Sequence, residues 1–210
     1  MGLELRAPME NYVTEAHDFA VGLDLGQTND PTAIAVIERI TEGSGEWKIT
    51  PAKVRTEIPL VFFQLRHLER LPLGMTYPAQ VEAVKGMLTR PPLIGARLVV
   101  DQTGVGRPVV DLFRDGRLEL TAVTITAGDA ETREGDDHRV AKIQLISRLE
   151  AAMHAGTLKA AAALSEGKAL EAELKDFRRN ITAAGRATFA ARVGKHDDLV
   201  LATADRKSVV

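Results

Sequence analysis

The segment that most restricts the fold of this chain is VGLDLGQTNDPTAIAV, residues 21–36. Two apolar runs flank a short turn that is rich in glycine and polar residues. Such a pattern predicts two neighbouring antiparallel strands joined by a tight connection. Asp24 ends the first strand, so its carboxylate is either part of the turn or a ligand.

Two resemblances compete for the role of Asp24. The stretch GLDLGQTN resembles the first phosphate loop of the sugar-kinase, actin and heat-shock chaperone ATPases, where the aspartate serves a nucleotide-bound metal. An aspartate at the end of a first strand is also the first metal ligand of nucleases with the ribonuclease H fold. A chain of 210 residues is short for the two similar lobes of those ATPases, and it lacks a G-x-x-x-x-G-K-[ST] loop. We therefore expect no nucleotide as a partner.

Composition excludes several other classes of protein. The chain has no cysteine, which excludes disulfides and thiolate metal sites. No apolar run approaches the length of about 18 residues that a membrane span needs, so we expect no membrane partner. Residues 1–18 lack the apolar region of a signal peptide and are predicted to be a flexible lead-in. A net charge of -2 neither indicates nor excludes nucleic-acid binding.

The order of elements predicts the fold class. Three strands are expected at 19–25, 32–40 and 47–58, with a turn at 42–45, and residues 60–72 receive no assignment. A helix from Pro78, a strand ending at Asp101, a helix from Pro108 and a strand at 118–127 follow, then a polar loop at 128–137. Helices are expected at 140–156, at 166–179 and from the Asp197–Asp198 pair onward. This order predicts an α/β protein with a ribonuclease H-like mixed sheet. An antiparallel three-strand meander and parallel strands form the sheet, helices cover both faces, and residues 19–207 form the domain.

Three acidic positions point to one site. Asp24 and Asp101 end the first and fourth strands, which lie side by side in this topology, and Asp198 begins the last helix. Each close pair of carboxylates costs about 4 kcal/mol at an effective dielectric near 20. Mg²⁺ or Mn²⁺ would offset that repulsion, and two such ions would clamp the water and the leaving oxygen in phosphodiester hydrolysis.

Each aspartate also has a simpler interpretation. Asp24 and Asp101 precede turn residues, and an aspartate before a helix is commonly its N-cap. We assign that capping role to Asp197 and metal binding to Asp198, which lies in the first turn of the helix. Whether Asp197 also reaches a second metal stays open.

Four blocks carry a resemblance to a known family: VGLDLGQTNDPTAIAV, LVVDQTGVGRPVVDLF, KIQLISRLEAAMHAGTL and VGKHDDLVLATA. Together, over residues 19–204, they resemble the nuclease domain of the large terminase subunit of tailed bacteriophages. The resemblance implies a metal-dependent endonuclease that cuts concatemeric viral DNA when packaging begins and ends. Its acidic triad corresponds to Asp24, Asp101 and Asp198, and Asp30 matches a further acid of many members.

The resemblance also implies partners and a location. The partners would be double-stranded DNA, a packaging ATPase motor, the portal and the small terminase subunit, in the cytoplasm of the infected bacterial host. Two other functions stay open. One is a RuvC-like junction resolvase, and the other is a catalytically inactive ribonuclease H-like module that binds DNA or a protein partner.

Weaker candidates surround these acids. Lys195 and His196 precede the acidic pair and would orient water or touch the scissile phosphate, unless they only face solvent. The sequence 136–138 (Asp-Asp-His) is interpreted as a solvated charged loop. A DNA-facing surface is predicted from seven basic residues: Arg133, Arg139, Lys142, Arg178, Arg179, Arg186 and Arg192.

Overall fold

The structure is a computed structural model that describes residues 10–26, 28, 30–161, 163–176, 178–181, 187–190 and 197–204. Its strands are β1 (Glu10–Asn11), β2 (Ala16–Asp24), β3 (Ala33–Ile49), β4 (Arg55–Arg70), β5 (Arg97–Asp101), β6 (Leu120–Thr126), β7 (Thr132–Glu134), β8 (Asp137–Ala141), β9 (Leu158–Ala160), β10 (Arg178–Ile181) and β11 (Ala187–Ala190). Its helices are α1 (Tyr77–Leu88), α2 (Arg107–Asp115), α3 (Lys142–His154), α4 (Gly167–Asp176) and α5 (Asp198–Ala204).

Nine of these strands form one mixed sheet in the order β1-β4-β3-β2-β5-β6-β8-β7, with β9 paired to β4. The strands β2, β3 and β4 form an antiparallel meander, whereas β5, β6 and β8 run parallel to β2. Strands β10 and β11 form a separate antiparallel hairpin. The predicted combination of a meander with parallel strands is therefore confirmed.

The second turn of the meander, between β3 and β4, lies at a different place from the one predicted. No turn occurs at residues 42–45, because β3 continues through them with a shift of register between Gly43 and Trp47. Gly45 has a φ of +73°, and its N–H donates to the Glu57 carboxylate at 2.9 Å. Glycine at a bulge lets the ladder continue after the interruption. The chain turns at 50–54 instead, and β4 includes most of the segment that had no assignment.

The predicted polar loop at 128–137 is also partly wrong, because β7 and β8 form a hairpin around Gly135. His138 is buried in β8, and the half-buried Asp137 pairs with Arg107 at 3.0 Å. These two residues are therefore not the solvated loop that was predicted, although Asp136 is exposed. In β8, charged residues alternate with buried ones, and for this reason the sequence pattern resembled a polar loop instead of a short strand. Similarly, α3 begins two residues later than expected, and α4 ends at Asp176, before strand β10.

Helices cover both faces of the sheet, as predicted. Along β3, Ile34 and Val36 point to the core under α1 and α2, whereas Ala33, Ala35 and Ile37 point to the core under α3, α4 and α5. This alternation follows from the two-residue period of a strand. Within the described part of the chain, no helix has the length and apolar character needed to cross a membrane.

A glycine determines how close α5 lies to the sheet. A Cβ atom at Gly22 would stand 2.2 Å from the carbonyl oxygen of Ala202, so only glycine allows this contact. The backbone of α5 therefore rests directly against the middle of β2. Its first residue, Asp198, consequently lies near the end of β2, where Asp24 is located.

Candidate functional site

Two aspartates meet at one edge of the sheet. Asp24 and Asp101 are register partners in the parallel strands β2 and β5, which lie about 4.8 Å apart by ordinary sheet geometry. Asp24 is on the same face as Gly22, and Asp101 is on the same face as the core residue Val99. Both carboxylates therefore point to the side of the sheet that α5 covers.

A pocket of about 560 Å³ opens at this edge. Its wall includes Asp198, the first residue of α5, and Asp197 directly before it, and the start of α3 supplies Lys142. The loop after β2 supplies Asp30, which is exposed. Six of the residues selected from the sequence line this pocket: Asp24, Asp30, Asp101, Lys142, Asp197 and Asp198.

The loop that follows Asp24 is held by partly buried hydrogen bonds. The Gly26 N–H donates to the Thr32 hydroxyl at 3.0 Å, and the amide of Gln80 donates to the carbonyls of Gly26 and Met75. Gln80 belongs to α1 and is 1% exposed, so the loop is tied to a helix on the opposite face of the sheet. This network holds the chain in place directly after Asp24.

Two carboxylates of the pocket, those of Asp24 and Asp101, resist ionisation. Burial, followed by repulsion from Asp101 and Asp198, holds the pKa of Asp24 well above its usual range. Burial raises the pKa of Asp101 to about 6, although hydrogen bonds from Thr103 and the nearby Lys142 ammonium oppose the shift. The Thr103 N–H donates to Asp101 Oδ1 at 2.7 Å. Such neighbouring acids with raised pKa values are typical of functional sites.

The role predicted for the Asp197 side chain is wrong. Its carboxylate does not cap α5, and Asp197 Oδ2 instead accepts a hydrogen bond from Lys142 Nζ at 2.6 Å. Glu173 of α4 provides the cap, because its Oε2 accepts the N–H groups of Leu199 and Val200, both at 3.1 Å. Asp197 therefore lines the pocket with one carboxylate oxygen bonded to Lys142.

Sequence reasoning missed both Glu173 and Arg70. The guanidinium of Arg70, at the end of β4, hydrogen-bonds Glu173 Oε1 and lies 3.7 Å from Asp198 Oδ2. A charged residue at the end of a strand and another within a polar helix give no signal of a shared role. Only the packing of α4 and β4 around the start of α5 brings them together.

The other predicted basic residues lie elsewhere or lack a description. Arg133 and Arg139 are exposed on the β7–β8 hairpin and line a second cleft together with Arg107. Arg178 and Arg179 belong to β10, and their side chains lie outside the described part of the structure. The remaining predicted residues are outside the described residues altogether: Arg186, Arg192, Lys195 and His196.

The donors in the pocket suit a hard divalent cation. They are carboxylate oxygens, which Mg²⁺ and Mn²⁺ prefer, and their mutual repulsion is the kind that a cation offsets. Within the described residues, however, no three acidic or histidine side chains already form a closed metal-binding group. The ammonium of Lys142 instead partly neutralises the acids and occupies one oxygen of Asp197.

Comparison with known proteins gives matches only among solved structures. No family model matches the sequence, and no curated protein matches it. The large terminase nuclease from thermophilic phage G20c with bound magnesium has a TM-score of 0.61 and 24% identity, covering 95% of this chain and 85% of that chain.

Two further structures give the same result. The cobalt-bound form of the G20c nuclease has a TM-score of 0.60 and 22% identity, and covers 96% of this chain and 92% of its own. The large terminase nuclease domain of Thermus phage P74-26 has a TM-score of 0.58 and 21% identity, with coverage of 94% and 87%. Over almost its whole length, the chain therefore has the ribonuclease H-like fold of phage large terminase nuclease domains.

Proposed function

We propose that this chain is a metal-dependent endonuclease that hydrolyses phosphodiester bonds of double-stranded DNA, and that it serves as the nuclease module of a viral DNA-packaging terminase. One observation carries the proposal. The carboxylates of Asp24, Asp101 and Asp198, from two adjacent strand ends and a helix start, line a single pocket on one face of the sheet. The shared fold supports the terminase assignment.

Asp24, Asp101 and Asp198 would hold two Mg²⁺ or Mn²⁺ ions, with Asp197 as an additional ligand. When bound, two such ions supply the Lewis acidity that activates water and offsets the charge of the phosphodiester. Of the solved G20c nuclease structures, one contains magnesium, another cobalt and another zinc, which supports a divalent cation as the ligand of this chain. Ionised carboxylates are required for such binding, so protons should compete with the cation for Asp101 as the pH falls through about 6.

The chain's own residues would orient the phosphate. Lys142 is the cation of the pocket wall, and its ammonium would contact a phosphate oxygen once a metal ion replaces it beside Asp197. Asp30 stands at the exposed rim, where it would add an oxygen ligand or orient water. The Thr103 N–H keeps one oxygen of Asp101 engaged, which fixes the orientation of that carboxylate.

A plasmid-cleavage assay tests this function. The chain should nick and linearise DNA in Mn²⁺ or Mg²⁺ with little sequence preference, and EDTA should stop the reaction, since contacts to phosphate carry no sequence information. Asp24→Asn and Asp101→Asn should each lack activity. The control Asp18→Asn changes a half-buried aspartate that pairs with Arg39 at 3.1 Å, and it should match the wild type. Failure of the wild-type chain to cut DNA with either metal would refute the proposal.

The same assay separates the alternatives. A RuvC-like resolvase would prefer four-way junctions over linear duplex, and an inactive module would bind DNA without cutting it. Calorimetry should show no appreciable ATP binding. An affinity for ATP in the micromolar range would instead favour the chaperone-like interpretation of GLDLGQTN.

As a terminase nuclease module, the chain would work beside a packaging ATPase motor, the portal and the small terminase subunit in the infected bacterial cell. These partners follow from the proposed function and would be tested by co-purification with each component.

A further inference from the structure

We propose that Arg70 and Glu173 are positioning residues that set the orientation of the Asp198 carboxylate and thereby the metal affinity of the pocket. The inference rests on the proposed function, because it treats Asp198 as a metal ligand. It concerns two residues that lie outside the pocket lining, on β4 and on α4.

Glu173 caps α5 from another helix. Its Oε2 accepts the N–H groups of Leu199 and Val200, which follow Asp198 directly and have no partner inside the helix. Glu173 is 7% exposed, and these bonds leave its Oε1 for Arg70. Because the bonds go to the backbone next to Asp198, they fix both the position and the rotation of the first turn of α5.

Arg70 connects Glu173 to Asp198. Its guanidinium donates to Glu173 Oε1 and to Glu166 Oε2, the latter at 3.1 Å, while its Nε lies 3.7 Å from Asp198 Oδ2. A planar fork can face three carboxylates at once in a fixed geometry, which a lysine ammonium cannot reproduce. One oxygen of Asp198 therefore faces Arg70, and this contact orients the carboxylate at the wall of the pocket.

The support for this arrangement is rigid. Arg70 ends β4, a strand in the interior of the sheet, and the Ser165 hydroxyl just before α4 donates to the Leu68 carbonyl at 2.8 Å. Leu170 of α4 and Leu199 of α5 share one hydrophobic core. Strand β4, helix α4 and the start of α5 thus form one unit, and that unit carries the third carboxylate to the strand ends of Asp24 and Asp101.

Charge explains why both positioning residues are needed. Asp198 and Glu173 are both buried acids, and Glu173 Oε2 is bonded to the backbone directly after Asp198. Arg70 is the cation that faces both. Without it, the two carboxylates would repel each other and separate, and that change would move Asp198 away from the geometry that a cation requires.

The test measures metal binding separately from cleavage. Glu173→Gln keeps an oxygen for the cap and loses the charge that faces Arg70, while Arg70→Lys keeps the charge and loses the fork. Each variant should bind Mn²⁺ about 10 to 100 times more weakly in calorimetry, as is usual when a residue that supports a ligand is lost. Cleavage should recover at saturating Mn²⁺, which a general loss of folded protein would not allow.

Two matched controls have the same substitutions at neighbouring places. Glu171→Gln changes an exposed acid on α4 that pairs only with Lys175 among the contacts described, and Arg66→Lys changes an arginine of β4 on the opposite face of the sheet. Both controls should keep the wild-type Mn²⁺ affinity. Amide exchange gives a readout that needs no metal, since Glu173→Ala should speed the exchange of Leu199 and Val200 and Glu171→Ala should not.

Wild-type Mn²⁺ affinity in Glu173→Gln and Arg70→Lys would overturn the inference, and so would equal losses in the controls. Normal Mn²⁺ binding by a wild-type chain that cuts no DNA would refute the proposed nuclease and leave the positioning role supported or rejected by the same titrations. A wild-type chain that binds no Mn²⁺ would refute both.

Discussion

Asp24 and Asp101 are direct register partners at the ends of two parallel strands, and both point to the side of the sheet that α5 covers. Adjacent parallel strands impose this proximity, so the two acids cannot move apart without breaking the sheet. The repulsion is therefore built into the fold, and it raises the affinity of the pocket for any cation that neutralises it.

The two acids at the start of α5 should differ in function. Asp198 is 7% exposed and faces Arg70, while Asp197 pairs with Lys142. Asp198→Asn should therefore abolish cleavage in Mn²⁺ with the fold intact, and Asp197→Asn should retain measurable activity. Parallel nicking assays, with circular dichroism for folding, decide the point. An active Asp198→Asn beside an inactive Asp197→Asn would reverse the assignment.

Lys142 should tune the pocket electrostatically. Its ammonium lowers the pKa values of Asp24 and Asp101, in opposition to their burial. Lys142→Met keeps the length of the side chain and removes the charge, so the pH needed for half-maximal Mn²⁺ binding should rise and cleavage at saturating metal should fall. Lys168→Met, an exposed change on α4, is the control. An unchanged pH profile for Lys142→Met would show that the ammonium has no such effect.

Stability without metal should depend on pH in an unusual direction. The folded-state pKa of Asp101 is about 6 against an ordinary value of 3.8, so the folded protein binds this proton more tightly than the unfolded chain does. The resulting stabilisation is fully present below about pH 4 and is lost as the pH rises through about 6, on the order of 2 to 3 kcal/mol. Urea unfolding in EDTA at pH 4 and pH 7 measures most of it.

Asp101→Asn should remove most of this dependence, because an amide does not titrate. Conversely, Mn²⁺ affinity should fall as the pH drops through about 6, since protons compete for the same oxygens. Equal pH dependence of unfolding in the wild type and in Asp101→Asn would contradict the assignment of the proton to this site.

Gly22→Ala should disturb the site by displacing α5 from the sheet. The new methyl group would meet the Ala202 carbonyl, which belongs to the backbone of α5, so the helix must shift. Overpacking of this kind costs about 1 to 3 kcal/mol, and cleavage should fall more steeply than stability because Asp198 moves with the helix. Gly86→Ala in α1 is the matched control, since a Cβ there meets nothing within 4 Å. It should raise the stability of the protein slightly.

The β7–β8 hairpin should contribute to DNA affinity without affecting the chemical step. Arg133 and Arg139 are exposed and line a cleft with Gln102, which follows Asp101 in the chain. Alanine at both positions should weaken DNA binding evenly across sequences and reduce the salt slope by about one for each lost phosphate contact. The control Arg90→Ala, at an exposed position on the α1 side, should change neither the DNA affinity nor the salt slope. Fluorescence anisotropy at several salt concentrations provides the measurement.

Much of the fold was predictable because its signals are local. The apolar run before Asp101 indicated a buried strand, and Pro78 and Pro108 marked helix starts that the structure places within one residue. The bulge at Gly43–Gly45 was not predictable in the same way, because glycines in a strand and glycines in a turn look alike in sequence. What distinguishes them here is the Glu57 carboxylate, which lies on the neighbouring strand.

The residues of the candidate site also differ in whether local signals in the sequence could identify them. Asp24 and Asp101 could be selected because each ends an apolar strand, and strand order then brings them together. The cap of α5 could not be selected from the sequence. An aspartate next to the helix start is the usual cap, whereas the residue that caps α5 is Glu173 of a different helix. Contacts between elements that are distant in sequence leave no periodicity to detect.

The contact between Gly22 and Ala202 has a consequence for the timing of activity. A ribosome synthesises a chain from its N-terminus. Strands β2 and β5 therefore emerge and begin to pair before α5 has been made. Until α5 docks against Gly22, the growing polypeptide holds Asp24 and Asp101 but lacks their third partner. As a nuclease it would thus be silent until α5 has been synthesised and has docked, and it would become competent in that single step.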